Sequence, residues 1–126
     1  MLGSSLVFFI KSENFNESLF FSERAVKGML AVREKMNKGR VQSLDSPCNT
    51  ISSHLMKVSL NSTDPVLMVA DRYRRFSCRE AANIQSFPDD FIFSGVSSGR
   101  QYKAIGNAVP PVMMWHIANQ FRKILD

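Results

Sequence analysis

Cysteine is scarce in this chain. Its 126 residues hold two, Cys48 and Cys78, which excludes a disulfide framework, and neither sits at a metal-ligand spacing. A reducing, cytoplasmic setting is the expectation. Long apolar runs are also missing. The stretch 1–10, Met-Leu-Gly-Ser-Ser-Leu-Val-Phe-Phe-Ile, falls well short of the ~20 residues a bilayer span needs. It lacks the basic start and small-residue cleavage site of a secretory signal, and reads as a buried strand or an irregular leader. There is no internal repeat and no low-complexity tract. The two histidines, His54 and His116, have no serine or aspartate arrangement that suggests a triad. The first reads as a surface residue and the second as packing beside Trp115 at the edge of a helix.

What is present points to a small folded basic protein. Lys and Arg total 16 against 11 Asp and Glu, a formal net charge of +5. That balance fits a polyanion such as nucleic acid, although charge alone does not separate this from a merely soluble basic protein. The 44% hydrophobic content is ordinary for a globular domain.

Residues 22–37 read as a helix, with Ser22 as its cap and Val26, Met29 and Leu30 on its apolar side. Arg24, Lys27, Arg33 and Lys35 lie on its other faces, as solvated charge or as phosphate contacts. Lys38-Gly39-Arg40 breaks it. Pro47 argues against a central strand in the next segment. Thr50, Ile51, Leu55, Val58 and Leu60 favour short strands or a loop-rich hairpin. Asn61 to Pro65 is a turn signal, and Val66 to Ala70 is a short buried strand.

The last fifty residues are the most legible. Ser77 followed by Glu80 is a capping box, so a helix starts near Cys78. Phe87-Pro88 ends it, because the residue before a proline avoids the helical region. Gly106 permits a positive φ or a close backbone approach, and Asn107 tolerates the same tight geometry. Pro110 and Pro111 suit a first helical turn. Met114, Ile117, Ala118, Phe121, Ile124 and Leu125 then recur at helical steps to the chain end. The expectation is a sharp loop that delivers Gly-Asn-Ala-Val to the mouth of a terminal amphipathic helix.

Two stretches together resemble the ninth and tenth conserved motifs of the DNA cytosine-5 methyltransferases. The first matches at Arg74, Phe76, Ser77, Arg79, Glu80, Ala82, Ile84, Gln85, Phe87, Pro88, Asp89 and Phe91. The second matches at Tyr102, Ile105, Gly106, Asn107, Ala108, Val109, Pro110 and Pro111. Asn83 departs from the pattern, standing where the family usually carries arginine. Two motifs in order and at the right spacing make the resemblance specific. It extends more weakly back to about Glu17. Asp45 to Ile51 looks like the Asp-x-Pro-x-x-Thr-Ile segment of the family's target-recognition region.

The resemblance implies a chemistry and a division of labour. The family flips cytosine out of the duplex, attacks its C6 with a cysteine thiolate, and takes the methyl group from S-adenosylmethionine. That needs a nucleophile loop, a Glu-Asn-Val acid segment and a Phe-x-Gly-x-Gly cofactor loop. The last two are not among these residues. Pro47-Cys48-Asn49 imitates the nucleophile loop but lies inside the recognition segment with no partner acid, so it is rejected, and Cys78 reads as a helix-start residue without chemistry.

The implied organisation is α+β. Residues 1–16 are an unassigned leader and 17–73 a partial target-recognition region with short strands. Residues 74–126 are the motif region, whose terminal helix packs on a cofactor domain not in this chain. Asn107, Val109, Gly106 and Ala108 are implied to form part of the S-adenosylmethionine pocket, and Thr50 to touch a DNA phosphate. Arg79 and Glu80 are implied to organise the interdomain hinge as an ion pair or network, with Gln85 and Tyr102 as structural motif residues. The implied partners are double-stranded DNA and a complementary chain carrying the catalytic cysteine, without a membrane. The implied activity is cytosine-5 methylation in restriction–modification, with this chain inactive alone. A non-catalytic truncated fragment with residual DNA binding is the alternative.

Overall fold

A computed structural model describes residues 16–31, 41–57 and 64–125. A 3-10 turn at Glu17–Leu19 leads into helix α1, Glu23–Ala31. Strands β1, Leu67–Val69, and β2, Arg72–Arg74, come next, and then helices α2, Cys78–Ile84, α3, Ser98–Asn107, and α4, Pro111–Leu125. The class is α+β, as expected. The expected leader, the Lys38 to Arg40 break, the end of the first helix and most of the Asn61 to Pro65 turn lie outside the described residues.

The apolar run at Val66 becomes β1 and turns straight back into β2. Ala70 and Asp71, the two loop residues, have φ of 47° and 60°, the left-handed pair that a tight hairpin needs to match strand twist. Leu67 pairs with Arg74 and Val69 with Arg72. Neighbouring segments bond to both sides of this hairpin, through isolated bridges at Phe20–Arg74 and Val41–Val66. Along β2, Phe21 N–H donates to Tyr73 O at 3.0 Å and Arg75 N–H to Leu19 O at 2.9 Å. Just before β1, Gln42 N–H donates to Val66 O at 2.8 Å. Arg72 secures the outer strand, clamping Glu17 with two 2.8 Å hydrogen bonds while its guanidinium lies 4.1 Å over Phe20.

The capping box forms. Ser77 Oγ accepts from Glu80 N–H at 3.2 Å, and Glu80 Oε2 accepts from Ser77 N–H at 2.7 Å. The helix then stops before the proline exerts its effect. Ser86 adopts φ 63°. Ser86 N–H donates to Asn83 O and Phe87 N–H to Ala82 O, both at 2.9 Å, which is the bonding of a Schellman stop.

Two expectations meet a different structure. Val58 and Leu60 of the expected strands or hairpin lie outside the described residues, and within 41–57 the pairing is a single bridge at Val41. Ile51 and Leu55 instead drop into the core, and the backbone between and after them turns through Leu55 N–H to Ser52 O and Lys57 N–H to His54 O. The sharp loop before α4 is also corrected. Gly106 and Asn107 are the last turn of α3, and the chain turns only at Ala108, φ −73° and ψ 146°. Two glycines in ten residues hide α3 from propensity. Packing overrides it, because Tyr102 and Ile105 are buried at the centre.

The core is Ile51, Leu55, Leu67, Phe76, Ala81, Ala82, Tyr102 and Ile105, with Cys48, Cys78, Ile84, Phe87 and Phe93 against it. It gathers the 51–55 turn, the hairpin, α2 and α3. No residue of α4 is buried.

Candidate cofactor and DNA-contact site

Residues 106–109 span the end of α3 and the break before α4. Asn107 is exposed, and Val109 is 55% exposed beside it. The turn that presents them is held from behind by two consecutive residues of the α2 terminus. Gln85 Nε2 donates to Ile105 O at 3.1 Å, satisfying a carbonyl in the last turn of α3. Ser86 Oγ accepts from Val112 N–H at 3.1 Å, satisfying a donor in the first turn of α4. The left-handed backbone that ends α2 at Ser86 therefore also aims its hydroxyl at the next helix. Ser86 carries no signal in the sequence beyond following the helix; its role depends on three elements meeting.

Below this turn lies a buried ion pair. Arg74 donates to Glu80 at 2.9 Å and 2.7 Å, and both side chains are fully buried. Arg74 also donates to Arg75 O at 2.9 Å. Glu80 thus takes part in an internal ion pair whose basic partner is Arg74, while Arg79 turns elsewhere. Neighbouring helical residues point in different directions, so Glu80 faces the hairpin and Arg79 faces the loop after α2. Arg79 donates to Pro88 O and to Phe91 O, and its guanidinium lies 5.9 Å over Phe93. Phe87, Phe91 and Phe93 pack on one another with ring centroids 4.9–5.8 Å apart. Tyr102 O–H donates to Phe76 O at 2.6 Å. Burial, with Cys78 adding to it, raises the Tyr102 pKa far above the ordinary phenol value.

Thr50 is exposed on the 41–57 segment. Two residues on, the Ser52–Ser53 peptide lies directly on Gly106, so close that a methyl group there would overlap it. The structure thus brings the Thr50 segment to the end of α3, against Gly106. Arg75 reaches the same segment further along and donates to Met56 O at 2.9 Å. A cavity of about 570 Å³ opens there, at the other end of α3, lined by Arg75, Arg79, Ser98 and Gln101 among others.

The remaining candidates stay apart. Burial pushes the Cys48 thiol up to about 11, the opposite of an activated nucleophile. Cys78 opens α2 with its Sγ 3.8 Å from Ser98 O. His54 is exposed with Nδ1 3.3 Å from Ser53 Oγ. His116 is exposed and stands edge-on to Trp115. Among the described residues there is no metal-binding cluster, and no helix is long and apolar enough to cross a membrane.

The sequence pattern of the C-5 cytosine-specific DNA methylases matches residues 9–123. The chain belongs to this family. An inferred type II methyltransferase of Oceanobacillus iheyensis is 39% identical over 115 residues, covering 90% of this chain and 23% of the relative. The type II methyltransferase M.AplI of Arthrospira platensis is 36% identical over 99 residues, covering 79% and 28%. M.FnuDI of Fusobacterium nucleatum is 32% identical over 102 residues, covering 71% and 30%. The chain therefore spans about a quarter of the length of these relatives. No solved structure matches it.

As a stretch of a DNA methylase, the site has one wall and an open side. Asn107 offers an amide donor and acceptor and Val109 an apolar face, on a turn fixed before any ligand arrives. Those groups fit part of a molecule that carries both polar groups and apolar surface. They do not enclose it.

Proposed function

We propose that this chain is the C-terminal portion of a DNA (cytosine-5-)-methyltransferase of a restriction–modification system, and that it acts with a complementary chain carrying the nucleophile, the acid segment and the cofactor loop. The observation that carries this reading is α4. Met114, Ile117, Phe121, Ile124 and Leu125 form an apolar side along the helix and are 41–84% exposed, although the turn that launches the helix is tied down on both sides. A contiguous apolar stripe on an anchored helix marks an interaction surface. In this reading the cofactor domain, carried by the complementary chain, covers it.

In this assignment S-adenosylmethionine supplies the methyl group when bound. Asn107 hydrogen-bonds it and Val109 packs on it from one side, while Gly106 and Ala108 shape the turn. The Thr50 hydroxyl and backbone contact a DNA phosphate near the target base, setting register and not sequence. The net charge of +5 favours the polyanion in general. Cys48 takes no part.

The test is cofactor affinity in the assembled pair, by calorimetry with S-adenosylhomocysteine. Asn107→Ala is expected to weaken binding by about tenfold, the value of one hydrogen bond in a desolvated polar site. Unchanged affinity would remove Asn107 from the pocket. A chain that pairs with nothing and binds duplex DNA alone would instead fit a non-catalytic fragment.

A further inference from the structure

The segment 52–56 meets α3 at two places, with backbone at Gly106 and with the Met56 side chain at Gly99. A methyl group built on Gly106 would collide with Ser52 C and O and Ser53 N. One built on Gly99 would meet Met56 Sδ at 3.1 Å. Seven residues are about two helical turns, so Gly99 and Gly106 share a face of α3. The segment therefore runs antiparallel to the helix, with Ser52 at the helix C-terminus and Met56 nearer its N-terminus. The two contacts differ in kind. At Gly99 the neighbour is the end of a flexible side chain, which can swing aside. At Gly106 the neighbour is a peptide group flanked by the buried Ile51 and Leu55, each 4% exposed, and it has no free direction in which to yield.

We propose that Gly106 is a positioning residue for DNA contact. Its bare Cα seats the Ser52–Ser53 peptide and so fixes Thr50 relative to Asn107. This rests on the assignment of Thr50 to a phosphate under the proposed function. It goes beyond shaping the cofactor turn, because it makes the phosphate-contacting segment and the last turn of α3 one rigid unit. Displacing either displaces the other, and the two binding equilibria are coupled reciprocally.

The test uses the assembled two-chain enzyme and measures duplex DNA affinity by fluorescence anisotropy with no cofactor present. A role confined to the cofactor turn leaves that reading unmoved. Thr50→Ala is expected to weaken DNA binding by about tenfold, the loss of one hydrogen bond to a charged oxygen. Gly106→Ala is expected to weaken it by a similar factor, and the double variant by no more than either single change, since residues acting through one contact are non-additive. Gly99→Ala, which meets only the Met56 side chain, is expected to leave the affinity near the wild-type value. Wild-type DNA affinity in Gly106→Ala, or fully additive losses, overturns the inference and leaves the Thr50 assignment standing. A neutral Thr50→Ala overturns both. Should Gly106→Ala fail to assemble, amide spectra of the wild-type pair decide. S-adenosylhomocysteine added without DNA must shift the Ser52 and Ser53 signals, and unshifted signals overturn the inference.

Discussion

Glu80 is fully buried, and its carboxylate is surrounded by donors: two from the Arg74 guanidinium and one from the Ser77 amide. A buried pair of this kind is weak as a source of stability but costly to break, because the survivor keeps its charge without compensation. Glu80→Ala is expected to destabilise the fold by about 3–5 kcal/mol, read from the urea midpoint. Since small domains have only about 5–15 kcal/mol in hand, that variant should sit at the edge of folding. Replacing Arg74 and Glu80 together by apolar residues should cost less than Glu80→Ala alone. A second residue-scale prediction concerns Cys48. Its thiol is raised from 9.0 to about 11 by burial, so the folded state holds its proton where the unfolded state has lost it. Stability from this group is therefore full below pH 9 and is lost as pH rises through about 11. Alkylation of Cys48 in the folded chain should stay slow at pH 9 and accelerate only toward pH 11. Rapid alkylation at neutral pH would show an activated thiolate instead.

At the scale of elements, the Ser86 hydroxyl joins the end of α2 to the first turn of α4. Ser86→Ala is expected to cost about 1 kcal/mol, as for a lost helix cap. The loss should be local: amide exchange at the start of α4 should quicken while α2 keeps its protection. Equal exchange throughout would mean that the Val112 contact carries no weight. The elements also divide by how much of them could be read in advance. The capping box at Ser77 and the period of α4 are local signals, and both elements form as read; the strand after Pro65 forms at Leu67–Val69 but leaves Met68 exposed, so it is not the buried strand expected. Helix α3 was not legible, because its helicity depends on Tyr102 and Ile105 reaching a core made by other segments, and its glycines look like a loop until the Ser52–Ser53 peptide is seen against one of them. The partner of Glu80 was not legible for a similar reason. Arg79 is adjacent in sequence, but Arg74 arrives from the hairpin. The break before α4 was read too early, at Gly106 and not at Ala108, and Gln85 and Ser86, which hold it, are tied to it by contacts 20 and 26 residues away.

At the scale of the molecule, a small core gathers the 51–55 turn, the hairpin, α2 and α3 and leaves out α4. Helix α4 leaves Trp115, Phe121 and Leu125 at 62%, 63% and 84% exposure, and a stripe of that kind drives association. The isolated chain is expected to self-associate or bind hydrophobic dyes, and Phe121→Glu with Ile124→Lys should make it monomeric without disturbing the core. The same double change should abolish pairing with a complementary methyltransferase chain. The central claim is that this chain completes such an enzyme. Its most direct measurement is transfer of a labelled methyl group from S-adenosylmethionine to duplex DNA, by this chain alone, by a complementary chain bearing the nucleophile, and by the two mixed. The account predicts cytosine methylation only in the mixture. Full activity of the complementary chain by itself, unchanged when this chain is added, would contradict it.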